Sequence, residues 1–235
     1  MTAVLALFCA SPADVSLQDQ LPLDLLNPPQ PRLDNFVAGR NAEALDAVQR
    51  LLAGALPERL VYLWGEDGSG RTHLSIAVAS GGGWIWAPED DPQRPGVAAA
   101  DDVSSLDEAA QVALFNRINA VRADTALGLL ATGTAPPAQL KLREDLRTRL
   151  AWGLVYQLQP LSDTEKADAL AVQAATRGVV LSDDVLPFML RHLPRDMRSL
   201  THALEALDAF ALARKRPLTV PLVREWLNSA QLPGI

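Results

Sequence analysis

The spacing of apolar side chains divides the chain into two unlike halves. Apolar residues at 44, 45, 48, 51, 52 and 55 recur with the period of an amphipathic helix and predict one over residues 41–56. Residues 60–64, LVYLW, form a short unbroken apolar run ending at a glycine and read as a buried strand. The run LSIAVAS at 74–80 predicts the helix that follows. Residues 84–86 and 97–100 predict short, weak strands, and 106–123 a helix. Residues 127–131 predict another apolar strand, 141–151 a charged helix and 155–158 the last strand. Beyond this point only helices are expected. Ser162-Asp-Thr-Glu165 has the form of a capping box and Gly178 that of a helix stop. Ser182 opens a further helix, and Met197, Leu200, Leu204, Leu207 and Ala211 mark a third. Pro221 suits the first turn of a final helix. Strands alternating with helices, then helices alone, predict an α/β body with a parallel sheet flanked by helices, plus a small C-terminal all-helical unit.

Boundaries follow from composition. Residues 1–35 are rich in Pro, Asp, Gln and Asn and read as a flexible segment, with NPPQPRL at 27–33 as its linker. The α/β body is placed at 36–159 and the helical unit at 160–235. The net charge of −7 argues against a protein that grips DNA along its backbone on its own. Cys9 is the single cysteine, so no internal disulfide forms. His73, His192 and His202 lie far apart and read as surface or core-edge residues rather than ligands. The apolar first dozen residues lack a basic flank and are too short to span a membrane. They read as a loose tail from an over-long start, and the expected compartment is the cytoplasm.

Candidate chemistry begins at Gly65-Glu-Asp-Gly68-Ser-Gly70-Arg71-Thr72, which fits a phosphate loop except that Arg replaces Lys. Glycines let successive N–H groups turn inward around phosphates, and the following helix adds its N-terminal dipole. Thr72 would hold Mg2+ and a phosphate oxygen. Arg is longer and forked, which preserves diphosphate binding and weakens chemistry at a γ-phosphate. The bland alternative is an ordinary Gly-rich turn. Asp101 and Asp102 close a strand of small residues, where an acid orients Mg2+ and a second polarises water. Two helix-favouring acids at a strand-to-helix turn would look the same.

Five stretches together resemble the DnaA-related AAA+ ATPases, and among them the Hda family of regulators that inactivate the initiator DnaA. They are QLPLDL, VYLWGEDGSGRTHL, LLATGTAPPAQL, EDLRTRLAWGLVYQLQPLSD and RDMRSLTHALEALD, in that order. The resemblance implies an AAA+ P-loop domain with a helical lid. It implies that Arg149 is an arginine finger acting in a neighbouring subunit, with Arg147 as the nearby competitor. It implies that Arg198 senses nucleotide from the lid, that Thr132 is the polar sensor on the central strand, and that Phe36 and Val37 line the adenine pocket. Gln20, Leu21, Leu23 and Leu25 resemble the family's peptide for the β sliding clamp of DNA polymerase III.

The function so implied is negative regulation of replication initiation. The chain would bind ADP or ATP with Mg2+, dock on the clamp and stimulate ATP hydrolysis by DnaA, with weak or no turnover of its own. DNA would be reached only through the clamp, near the replisome and nucleoid, and a homodimer is one arrangement open to such a module. The alternatives are a free-standing AAA+ ATPase and a clamp-tethered adaptor whose Arg149 is passive. Two departures from the family pattern stand out. Residues 81–96 are short, which leaves one sheet edge undetermined and fits a regulator better than an initiator. No helix-turn-helix reader is expected after the lid. The acidic loop at 89–91 reads as solvated surface.

Overall fold

The computed structural model describes residues 30–229. Cys9, the apolar start and the clamp-peptide residues Gln20, Leu21, Leu23 and Leu25 lie outside the described residues. Helix α1 (Ala42–Leu52) leads into β1 (Leu60–Gly65), α2 (Arg71–Ser80), β2 (Trp84–Ile85) and β3 (Gly96–Ala100). Then come α3 (Glu108–Ala123), β4 (Leu127–Gly133), α4 (Glu144–Leu150) and β5 (Leu154–Leu158). Helices α5 (Asp163–Thr176), α6 (Val185–His192), α7 (Met197–Arg214) and α8 (Val220–Ser229) complete the described chain. Among the described residues no helix is long and apolar enough to cross a membrane.

All five strands are parallel, in the order β2-β3-β4-β1-β5. Successive strand residues face opposite sides of a sheet, and this alternation sorts the core. Tyr62, Ala98, Leu129 and Ala131 pack with Leu114 and Ile118 of α3 and Leu146 and Leu150 of α4. Val61, Leu63, Ala99 and Leu130 pack on the other side with Val48 and Leu51 of α1 and Leu74 and Val78 of α2. A separate core built from α5 to α8 is centred on Leu170, Met189, Leu200, Leu207 and Leu222. The alanines of β3 are poor strand formers by propensity. Burial between β2 and β4 overrides that preference. Their register sets Ala100 beside Ala131, so Asp101 follows directly alongside Thr132.

Three boundaries move for identifiable reasons. Helix α1 stops at Leu52 rather than 56 because the chain turns at Gly54 (φ +72°) and tucks Leu56 into the core. Helix α4 starts at Glu144 rather than 141 because Arg143 is extended. Helix α6 starts at Val185 rather than at Ser182 because Leu181 pairs as a β-bridge with Leu218, a partner 37 positions away in this numbering. The capping box forms as read: Ser162 Oγ accepts from Glu165 N, and the Glu165 carboxylate accepts from Ser162 N.

The short 81–96 segment holds its edge through charge rather than length. Arg117 of α3 is buried and donates to the carbonyls of Pro92, Arg94, Gly96 and Gly128 at 2.7–3.1 Å. The acidic loop is not simply solvated surface. Asp90 turns inward and accepts from Trp84 Nε1 (3.0 Å) and Ala87 N (2.8 Å). These side chains supplement the turn bonds that Asp90 N makes to Ala87 O and Arg94 N to Asp91 O in satisfying the backbone of a loop with no helix of its own.

Candidate nucleotide site

A cleft of about 640 Å3 opens between the α/β body and the helical unit. Its floor is the loop between β1 and α2. Gly68 (φ +78°) and Gly70 (φ +100°) both adopt the left-handed backbone that L side chains rarely take. A Cβ on Gly70 would lie 2.6 Å from the Phe36 ring, so the loop needs glycine there for packing as well. Phe36 in turn meets His73 edge-on, with ring centroids 5.3 Å apart. Burial, with the nearby Arg198 cation, holds the His73 imidazole below its ordinary value of 6.5, and Arg32 O opposes this through a contact to Nε2 at 3.0 Å.

Phe36, Val37, Gly68, Gly70, Arg71, Thr72 and Arg198 all line this cleft, so the sequence-predicted loop, adenine segment and lid arginine are brought to one place. Gly65 sits behind it, where a Cβ would meet Leu158 O at 2.5 Å and Ser69 Oγ at 2.7 Å. Arg71 is nearly buried and folds back to Asp67, Nη2 donating to Oδ1 at 2.9 Å. The Asp67 carboxylate is a feature that motif matching missed. The other wall carries Lys166, Arg177 and Glu205 of the helical unit. Arg177 and Glu205 form an ion pair. Lys166 lies on α5 and Arg177 caps its C-terminus, and nothing local in the sequence marks either as part of a site.

Asp101, Asp102 and Thr132 lie behind the loop at the strand ends and do not line the cleft. Asp101 Oδ1 accepts from Ser75 Oγ (2.9 Å) and Thr132 Oγ1 (2.7 Å). Thr132 Oγ1 also accepts from Asp102 N at 2.8 Å. Asp102 itself is left-handed (φ +46°), an uncommon state for a residue with a side chain. Ser75, three residues after Thr72 on the inner face of α2, was not singled out in the sequence. Below this cluster Tyr62 donates to Ala135 O at 2.7 Å, and burial pushes its phenol well above the usual range.

Two buried atoms at the site have no partner of their own, Ser69 Oγ and Asp102 Oδ1. A buried polar atom without a partner costs free energy. A hydroxyl in the phosphate loop and a carboxylate oxygen beyond Asp101 therefore suit a polyphosphate and its cation. The apolar wall of Phe36, Val37, Ile76 and Leu161 suits a flat base. The residues present thus fit a nucleotide with Mg2+.

Two of the predicted residues belong elsewhere. Arg147 turns toward its own chain, Nη1 donating to Ala138 O at 3.3 Å. Arg149 lies apart from the cleft, with its Cζ 3.8 Å from the Trp152 ring centroid and 5.2 Å from that of Phe115. The chain leaving β5 for the helical unit is tied to the segment before α1. Asn41 Nδ2 donates to Gln159 O at 2.9 Å, and Asn41 Oδ1 accepts from Gln159 N at 2.7 Å. Arg40 Nη2 donates to Pro160 O at 3.2 Å.

Comparison with known proteins agrees with this geometry. A family model described as Hda, lid domain, matches residues 163–227. The replication initiator DnaA bound to AMPPCP and single-stranded DNA superposes with a TM-score of 0.64 at 18% identity, over 80% of this chain and 68% of that one. Domain III of Thermotoga maritima DnaA gives a TM-score of 0.64 at 17% identity, over 87% of this chain and 98% of that one. A Thermotoga maritima RuvB variant gives 0.61 at 17% identity, over 86% and 73%. At such identities the superpositions speak to fold, and the lid match speaks to residues 163–227. A segment that matches the Hda lid-domain model at 163–227 thus stands on a body with the fold of DnaA domain III.

Proposed function

We propose that the chain is a regulator of replication initiation that binds adenine nucleotide, docks on the sliding clamp through residues 20–25 and stimulates ATP hydrolysis by DnaA. The observation that carries this reading is an Hda lid closing a phosphate-loop cleft on a DnaA-like body.

Within that reading the residues divide by task. The backbone around Gly68 and Gly70 and the N-terminus of α2 receive the phosphates, and Phe36 and Val37 receive the base. Arg198, which lines the cleft from the lid, would contact the phosphates. Thr72 and Asp101 would hold Mg2+, which offsets phosphate charge. The chain's own turnover is slow, because Arg71 is already paired with Asp67 and is not a free point charge. Arg149 serves DnaA-bound ATP in trans, where its guanidinium stabilises charge developing on the phosphoryl group. Gln20, Leu21, Leu23 and Leu25 place it there by tethering the chain to a clamp on DNA.

The test is ATP hydrolysis by purified DnaA with clamp loaded on DNA, comparing the parent chain with Arg149→Ala and Gln20→Ala. Acceleration by the parent that both changes abolish supports the reading. Fast hydrolysis by the chain alone supports a free-standing ATPase instead. Acceleration that survives Arg149→Ala supports a tethered adaptor.

A further inference from the structure

Trp152 is a large aromatic left 43% exposed. Its indole is nonetheless occupied. The guanidiniums of Arg149 and of Arg122, in the last turn of α3, lie 3.8 Å and 4.1 Å from its ring centroid. Phe115 of α3 approaches the Arg149 guanidinium as well, at 5.2 Å. Among the described residues no carboxylate forms an ion pair with Arg149. We propose that Trp152, helped by Phe115, is the positioning residue that holds Arg149 ready for an anionic phosphoryl group on another protein. The proposal rests on the reading of Arg149 as a residue acting in trans.

The physical argument concerns which part of the guanidinium is engaged. A cation over an aromatic face is held through its planar surface. Its N–H donors lie in the plane and stay free to fork onto phosphate oxygens. A carboxylate partner would do the reverse, consuming the donors and cancelling the charge. Arg147, two residues earlier, is engaged differently: its Nη1 donates to the backbone carbonyl of Ala138 and its Nε is buried. An arginine with no contact at all would remain available but would lose rotamer freedom on every encounter. An aromatic platform removes part of that loss beforehand.

The platform is itself fixed by the backbone. Trp152 N donates to Arg149 O at 3.1 Å, closing the turn after α4, and the three-residue spacing sets both side chains on one side. Gly153 follows, pressed so closely on β1 that a Cβ there would meet Leu60 O at 2.4 Å. The turn carrying the indole therefore has little room to swing.

The test titrates the full chain into DnaA with clamp-loaded DNA and follows ATP hydrolysis. The forms compared are the parent, Trp152→Leu, Trp152→Phe, Arg149→Ala and the Arg149→Ala/Trp152→Leu pair. Leucine keeps an apolar bulk and removes the π face, and phenylalanine restores a face. Trp152→Leu is expected to lower the saturating rate roughly 3- to 30-fold, the span of one partly desolvated cation–π contact. Its half-saturating concentration stays near that of the parent. Trp152→Phe recovers most of the rate, and the double variant is no slower than Arg149→Ala. If Trp152→Leu keeps the full saturating rate while Arg149→Ala loses it, the positioning role is overturned and the trans-acting arginine stands. A changed half-saturating concentration with an unchanged saturating rate makes Trp152 a docking contact and also overturns it. If Arg149→Ala matches the parent, the underlying reading fails, and this inference fails with it.

Discussion

Thr132 is the central joint of the acidic cluster, and replacing it by valine isolates one hydroxyl. Valine has nearly the same shape, so the cavity term is small. Two hydrogen bonds are lost: the one Thr132 Oγ1 donates to Asp101 Oδ1 at 2.7 Å and the one it accepts from Asp102 N at 2.8 Å. A bond to a charged group contributes about 1.5–3 kcal/mol, and a buried N–H left without an acceptor costs about 1–3 kcal/mol. The added methyl returns about 0.8 kcal/mol. Thr132 is fully buried, but Asp101 is only half-buried, and water replaces part of its bond. The lower part of the range follows, a loss of about 2–3 kcal/mol. With a slope of about 2 kcal/mol per molar, the urea midpoint of the α/β body should fall by about 1–1.5 M. The assay is urea unfolding followed by tryptophan fluorescence. Trp64, Trp84, Trp86 and Trp152 all report on this body. A shift under about 0.3 M with an unchanged slope would refute the reasoning, showing that Asp101 and Asp102 find other partners at no cost.

Two further outcomes are expected. Arg117→Met removes the donor shared by four carbonyls, and should destabilise the body by about 2–4 kcal/mol while speeding amide exchange across 84–100; unchanged exchange there would show that the short segment holds itself. Because burial holds His73 below its ordinary value of 6.5, the unfolded chain binds that proton first as pH falls. The contribution of His73 to stability is then complete above pH 6.5 and declines below it; melts at pH 7.5 and 5.5 should converge in His73→Leu, and parallel loss in parent and variant would assign the pH dependence to other groups.

What the sequence determined by itself was everything carried by local period and local chemistry. Unbroken apolar runs such as LVYLW identify strands buried on both faces, because a parallel sheet covered by helices offers no wet side. The glycines of the phosphate loop are legible because only they supply φ near +78° and +100° cheaply. The capping box at Ser162 and Glu165 is legible for the same kind of reason, since its bonds span three residues.

Tertiary structure decided whatever depends on partners distant in the chain. Leu218 takes the backbone at Leu181 and delays α6, an effect no local propensity contains. Register alone sets Asp101 beside Thr132, and the packing of α2 brings Ser75 onto the same carboxylate oxygen. The two arginines of α4 look alike in sequence. Packing turns Arg147 toward Ala138, where Nη1 is donated, and lays Arg149 on Trp152. The physical reason is common to all of these. Torsional and capping preferences act over a few residues, whereas hydrogen-bond and ring partners are chosen by proximity in space.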